Sequence, residues 1–164
     1  MVEVEIDTIR VSLKGPHRVI LLREMGKERQ LPIFIYETEA DAILMELRGK
    51  SRPRPLTHDL LKNCIVSLGG ELQYVVVSEL RTEPTGGTFY ALLHVLQDGH
   101  EIDIDARPSD SIALAVRAHV PIFVAEEVLE EAGIYPAEDT ETSKEQLSVF
   151  RDFVDSLDLD DLEL

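Results

Sequence analysis

Apolar and charged residues alternate through VEVEIDTIRV (2–11), a period of two that predicts a half-buried strand. HRVILLRE (17–24) and RQLPIFIY (29–36) follow as strands, separated from what precedes them by Gly15-Pro16 and Gly26. TEADAILMELRG (38–49) changes to helical spacing: Ala42, Ile43, Leu44 and Leu47 share one side, and Gly49 suits the position just past a helix end. The stretch RPRP makes a stiff extended connector, because each proline fixes its own φ and pushes its predecessor out of the helical region. Thr57 is the expected N-cap of a second helix through DLLKNCIVSL, which stops at Gly69-Gly70.

The same series then recurs. LQYVVVSEL (72–80), TFYALLHVL (88–96) and HEIDID (100–105) read as strands joined at Gly86-Gly87 and Asp98-Gly99. RPSDSIALAVRAHV (107–120) reads as a helix with Ser109 as N-cap, followed by a short strand PIFV (121–124) and a closing helix, AEEVLEEAGI. Sliding the chain by 69 residues puts Ile33 on Ile102, Ile35 on Ile104, Asp41 on Asp110 and Ile43 on Ile112. The expected fold is therefore α+β: internally duplicated β-β-β-α units, a largely antiparallel sheet and helices packed on one face. Residues 1–133 form the expected body. Residues 134–164 form an acidic linker, an amphipathic helix carrying Leu147, Phe150, Phe153, Val154 and Leu157, and a tail.

Charge changes this picture. The formal net charge is -16 over 164 residues, but residues 125–164 hold 14 acidic and two basic side chains, which leaves the rest at only -4. The body can thus carry a local positive face, and it does so in RGKSRPRPLTHD (48–59), with Arg48, Lys50, Arg52 and Arg54 within seven positions. Such a body lacks the broad basic surface of a tight duplex binder. With four Tyr, five Phe and no Trp it also offers few stacking platforms. Weak binding to single-stranded or short nucleic acid is the expectation. No apolar run is long enough to span a membrane. One cysteine permits no disulfide within the chain and fits a reducing cytoplasm. Cys64, inside LLKNCIVSL, reads as buried and inert.

Two stretches carry candidate chemistry. In RPRPLTHD, Arg52 and Arg54 stand before a helix N-terminus with Thr57, where the dipole and arginine forks favour phosphate. His58 can move a proton near neutral pH, with Asp59 or Asp110 orienting it. In IDIDARPSDS (102–111), Arg107 and Ser109 mirror that cradle, and Asp103 and Asp105 share one strand face. Asp110, Asp105 and Glu39 are the candidate ligands for Mg²⁺ or Mn²⁺, hard cations that prefer oxygen. The same residues also read as caps, dipole complement and solvated surface. If the two arginine–proline corners meet, they make one anion pocket. His94 reads as structural, and His17, His100 and His119 as surface residues.

LPIFI–x3–EADAI, RPRPLTHDLL, GTFYALL and IDARPSDSIALAVR–x3–PIFV, in that order over residues 1–133, resemble the bifunctional nuclease family of bacteria and plants. The resemblance implies a small α+β domain, a homo-oligomer, that hydrolyses phosphodiesters of RNA and DNA. His58, Asp59 and Asp110 are then its candidate catalytic residues. A binding or regulatory module for an anionic ligand or a protein partner is the alternative, with the acidic tail engaging another protein. The chain departs from the family at Tyr36, where glycine is usual. A ring there would alter the mouth of a site near Glu39.

Overall fold

The computed structural model describes residues 1–11, 17–50, 53–82 and 87–136. Arg52 and the expected C-terminal helix lie outside these residues. The elements run β1 (Val2–Val11), β2 (Arg18–Glu24), β3 (Gln30–Ile35), α1 (Glu37–Leu47), α2 (Thr57–Ser67), β4 (Gly70–Arg81), β5 (Thr88–Gln97), β6 (His100–Ala106), α3 (Pro108–Ala118), β7 (Ile122–Val124) and α4 (Glu126–Ala132). The period-two and helical patterns thus found their elements, with ends displaced by a residue or two.

The strands form one seven-stranded sheet in the order β3-β2-β1-β7-β4-β5-β6. Each triplet, β1-β2-β3 and β4-β5-β6, is an antiparallel meander with its first strand innermost. The short β7 fits between them, antiparallel to β1 and parallel to β4. The α+β class, the antiparallel meanders and a helix after each were legible in the sequence. The insertion of β7 between them was not, because nothing local says where a three-residue strand will pair.

One face of this sheet supplies the core. Ile20, Leu22, Ile33, Val75, Val77, Leu93, Val95 and Val124 join Ile43 of α1, Ile112 and Leu114 of α3 and Leu129 of α4 in a single buried cluster. In β4 a register shift between Leu72 and Tyr74 lets both Leu72 and Val75 face this core while Tyr74 turns to the other side. The helices therefore lie on one face. At the β5–β6 turn, Asp98 and Gly99 take φ of 50° and 77°, the left-handed pair that a tight hairpin demands.

α3 is the centre of the helical layer. Eight of its residues are buried, it packs on both α1 and α2, and Pro108 occupies its first turn, where no N–H is needed. Its N-cap is Arg107 instead of Ser109, which is buried inside the first turn. Likewise Leu56, not Thr57, is the N-cap of α2. Leucine has no acceptor to cap with, so only the reverse half of a capping box forms: the Leu56 N–H donates to Asp59 Oδ2 at 2.8 Å. In both places a residue one or two positions before the short polar side chain took the extended conformation, and the polar side chain lies inside the helix.

Candidate functional site

α2 leans on α3 through two adjacent side chains that point different ways. His58, only 8% exposed, places Nε2 3.0 Å from Asp110 Oδ1. Asp59 receives Arg117 Nε at 2.7 Å on Oδ1. Asp110 and Arg117 stand seven residues apart on α3, two helical turns, so both contacts fall along one side of that helix. Lys62 adds a third tie by donating to the Arg117 carbonyl at 2.6 Å.

Arg107 completes the His58 end. Its Nε donates to Asp110 Oδ2 at 2.7 Å, and its Nη2 is shared between Asp110 Oδ1 at 3.1 Å and Glu39 Oε1 of α1 at 3.0 Å. Burial by itself would push the Asp110 carboxyl up. Arg107 and His58 outweigh it and hold the group below the ordinary aspartate value. Asp59 behaves the same way: burial opposes its charge, while the Leu56 N–H and Arg117 overcome that and lower its pKa. Arg107 is raised, chiefly by its hydrogen bond to Asp110. With Asp110 ionised, the geometry calls for His58 to donate from Nε2, which leaves Nδ1 as the acceptor.

A cavity of about 290 Å³ opens on the Asp59 side. Met45 and Glu46 of α1, Lys50, Arg54, Pro55 and Leu56 of the connector, Asp59 and Arg117 line it. Among the described residues, neither Lys50 nor Arg54 has an ion-pair partner. Arg117 is different: it is 4% exposed, donates to the carbonyls of Ala113 at 2.8 Å and Ala42 at 3.0 Å, and spends its third nitrogen on Asp59. It is a bolt holding three helices. Lys50 and Arg54 are the cations of this cavity left for an anion.

The two arginine–proline corners therefore touch, but through His58 and Asp110. Arg54 and Arg107 do not share one pocket lining: Arg54 faces the cavity, and Arg107 bridges Glu39 and Asp110. Thr57 is exposed in the first turn of α2 near Arg54, whereas the burial of Ser109 removes it from any open cradle. Of the expected metal ligands, Glu39 and Asp110 meet only across Arg107, and Asp105 stands apart. Asp105 is exposed on the edge strand β6, opposite Leu92. Among the described residues no three or more His, Cys, Asp or Glu come together to hold a metal ion. The positive charge between Glu39 and Asp110 is the Arg107 guanidinium. Glu39 Oε2 is left buried without a hydrogen-bond partner among the described residues, yet its fellow carboxylate, Asp110, is already saturated by Arg107 and His58. The donor set does not fit a divalent ion held by protein ligands.

Three further placements differ from expectation or extend it. Cys64 is exposed, because α2 packs inward through His58, Lys62 and Ile65 instead. His94 stacks on Tyr74 at 4.3 Å and pairs through Nδ1 with Asp103 on the open face of the sheet. Tyr36 is the exposed N-cap of α1, its ring 5.2 Å from that of His17, at the end of the helix that carries Glu39. Arg117 was missed, and Lys50 was counted in the positive cluster without being placed among the candidate site residues. The signal for Arg117 was available: a lone cation in the apolar run SIALAVRA, two turns from Asp110, is a charge that the helix must bury.

This constellation sits on the motifs RPRPLTHD and ARPSDS, and the comparison with known proteins agrees with them. The family model of the bifunctional nuclease domain matches residues 19–137. The chain belongs to the bifunctional nuclease domain family. An uncharacterized protein of Mycobacterium tuberculosis is 42% identical over 167 residues, covering 98% of both chains. Bifunctional nuclease 1 of Oryza sativa subsp. japonica is 29% identical over 136 residues, 80% of this chain and 40% of the rice protein. Bifunctional nuclease 2 of Arabidopsis thaliana is 31% identical over 114 residues, 67% of this chain and 33% of the relative. The plant family members are thus much longer than the region they share with it. Among the described residues no helix is long and apolar enough to cross a membrane.

Proposed function

We propose that this chain hydrolyses phosphodiester bonds of single-stranded or short RNA or DNA, at the corner where α2 meets the start of α3. The observation that carries the reading is the 3.0 Å contact between His58 and Asp110, with Arg107 holding that carboxylate charged. Asp110 orients the imidazole by accepting from Nε2, the role a carboxylate plays beside a general base. His58 accepts a proton from water at Nδ1 while the water oxygen bonds to phosphorus. The leaving nucleotide oxygen departs with the P–O electrons and takes a proton from solvent. Arg107, whose side chain is 58% exposed, lies beside this proton path and carries charge toward the phosphate. Lys50 and Arg54 hold a neighbouring phosphate of the strand, and this salt-sensitive grip is weak because, among the described residues, two free cations make it. No step passes through a divalent ion.

The competing reading is a binding module for an anionic ligand, and the burial of His58 is the observation that favours it. A histidine that only latches α2 to α3 would look the same. Purified protein and its His58→Gln and Asp110→Asn variants, incubated with end-labelled single-stranded RNA and DNA in Mg²⁺, Mn²⁺ or EDTA, separate the two. Cleavage that persists in EDTA and falls at least tenfold in both variants supports hydrolysis at this corner. Equal cleavage by all three proteins removes it. Retained binding without cleavage, lost in Lys50→Glu/Arg54→Glu, supports the module.

A further inference from the structure

Outside this corner, α2 is the least covered of the described helices. His58 is its sole fully buried residue. On its outer side Leu60 is 56% exposed and Leu68 75% exposed, and Leu61 and Cys64 lie between them in the open. At 3.6 residues per turn these four fall within about a 100° arc, one apolar stripe. The edge strand β6 extends the surface. Ile102 pairs with Val95 and Ile104 with Leu93, so both isoleucines point to the helical side of the sheet, yet no helix covers them and they are exposed. An exposed apolar stripe of the kind α2 carries marks a docking site.

Charge selects its occupant. Residues 48–70 hold five basic side chains (Arg48, Lys50, Arg52, Arg54, Lys62) and one acidic (Asp59), in a chain with a net charge of -16. A second copy placed α2 against α2 would set these cations against each other. The segment 138–164 has the opposite character: ten acidic and two basic side chains, with Leu147, Phe150, Val154 and Leu157 at helical spacing. A lone helix of about 14 residues is marginal in water and needs an apolar face to pack on. Reach also suffices. The body ends beside β3, where Gln30 and Ile134 exchange two backbone hydrogen bonds of 2.7 Å. Gln30 pairs with β2 on its other side, so Ile134 lies one spacing outside β3, and from it to β4, on which α2 packs, is five strand spacings, about 24 Å. Residues 135–143 span at most about 31 Å.

We propose that the C-terminal segment folds back in cis as an amphipathic helix on the apolar stripe of α2, with its acidic end against the cationic connector. The docked segment brings Asp158, Asp160 and Asp161 within reach of Lys50 and Arg54 and makes them competitors of phosphate there. That last consequence rests on the phosphate role proposed above. The docking itself does not, and its test reads no activity. Cys64 is the single cysteine of the chain and sits in the stripe, so its alkylation by a maleimide reports whether the face is covered. The full-length protein is compared with Phe150→Asp/Phe153→Asp over a hundredfold range of concentration. Alkylation at least tenfold slower in the wild type than in the variant, and independent of concentration, is the expected result. Equal rates in the two proteins overturn the proposal. Protection that fades on dilution overturns it in favour of a second copy. High salt should speed alkylation of the wild type alone.

Discussion

The two meander-and-helix units of this protein run through the same elements and use them differently. In the first, β3 is buried, its Ile33 only 3% exposed, and α1 buries just Ala40 and Ile43. In the second, β6 is open along its length, with Ile102 at 38%, while α3 is the most buried helix. At the offset of 69 residues Asp41 answers to Asp110 and Arg48 to Arg117. Asp41 and Arg48 are exposed; Asp110 and Arg117 are the two points at which α2 is bolted to α3. Side chains at the same offset are thus surface in one unit and interhelical ties in the other. The difference lies in what covers them. α2 comes over the second helix and not the first, and α4 closes over β3 and leaves β6 bare.

This asymmetry can be broken residue by residue. Arg117→Ala leaves the carbonyls of Ala42 and Ala113 without their donor and the partly exposed Asp59 without its ion pair, and should cost about 3 kcal/mol, read from urea unfolding, the low end for removing one partner of a buried pair. Arg48→Ala should stay within about 0.5 kcal/mol, as exposed substitutions do. A similar cost for the two would abolish the distinction. Ile33→Ala should cost about 3 kcal/mol from lost transfer energy and a cavity, and Ile102→Ala clearly less, because its site is open to water. Next in size, His58→Ala should lower phosphodiester cleavage about 100-fold, equivalent to about 2.7 kcal/mol, whereas Asp41→Asn leaves it unchanged. Activity that survives the first change, or dies with the second, moves the site elsewhere.

The smallest effect is one of pH. Asp59 and Asp110 have folded pKa values below their ordinary ones, near 3.9 in an unfolded chain. Their ion pairs therefore stabilise the fold fully above about pH 4, and this contribution disappears as pH falls through the lowered folded values. Both carboxylates are partly exposed, about a third for each side chain, so water screens the gain and each contributes modestly. Asp110→Asn should flatten the stability profile between about pH 5 and pH 3. An unaltered slope would show that the Arg107 bridge carries no net stabilisation.

Much of this was readable in the chain. The strand and helix pattern is local chemistry: alternation buries one side of a strand, and 3.6-residue spacing one side of a helix. Gly49 and Gly69 stop α1 and α2 where expected, with φ of 62° and 84°. RPRPLTHD and ARPSDS, set apart in the sequence, proved to be neighbours because His58 of one meets Asp110 of the other. The misreadings all concern direction. Ser109 and Thr57 had the right chemistry for caps but lay one or two residues inside the helix, and Asp105 was grouped with Asp110 by sequence distance alone.

What the sequence by itself determined was the order of elements, the two similar units, the positive island in an acidic chain and the histidine–carboxylate theme. What only the tertiary structure decided was the pairing: His58 with Asp110 across 52 residues, Arg117 with Asp59 across 58, and Arg107 with Glu39 in place of a shared pocket with Arg54. Local sequence sets which dihedral angles and faces are favourable. Which charges neutralise one another depends on how the helices are stacked, and that is fixed by the burial of their apolar faces against a single sheet.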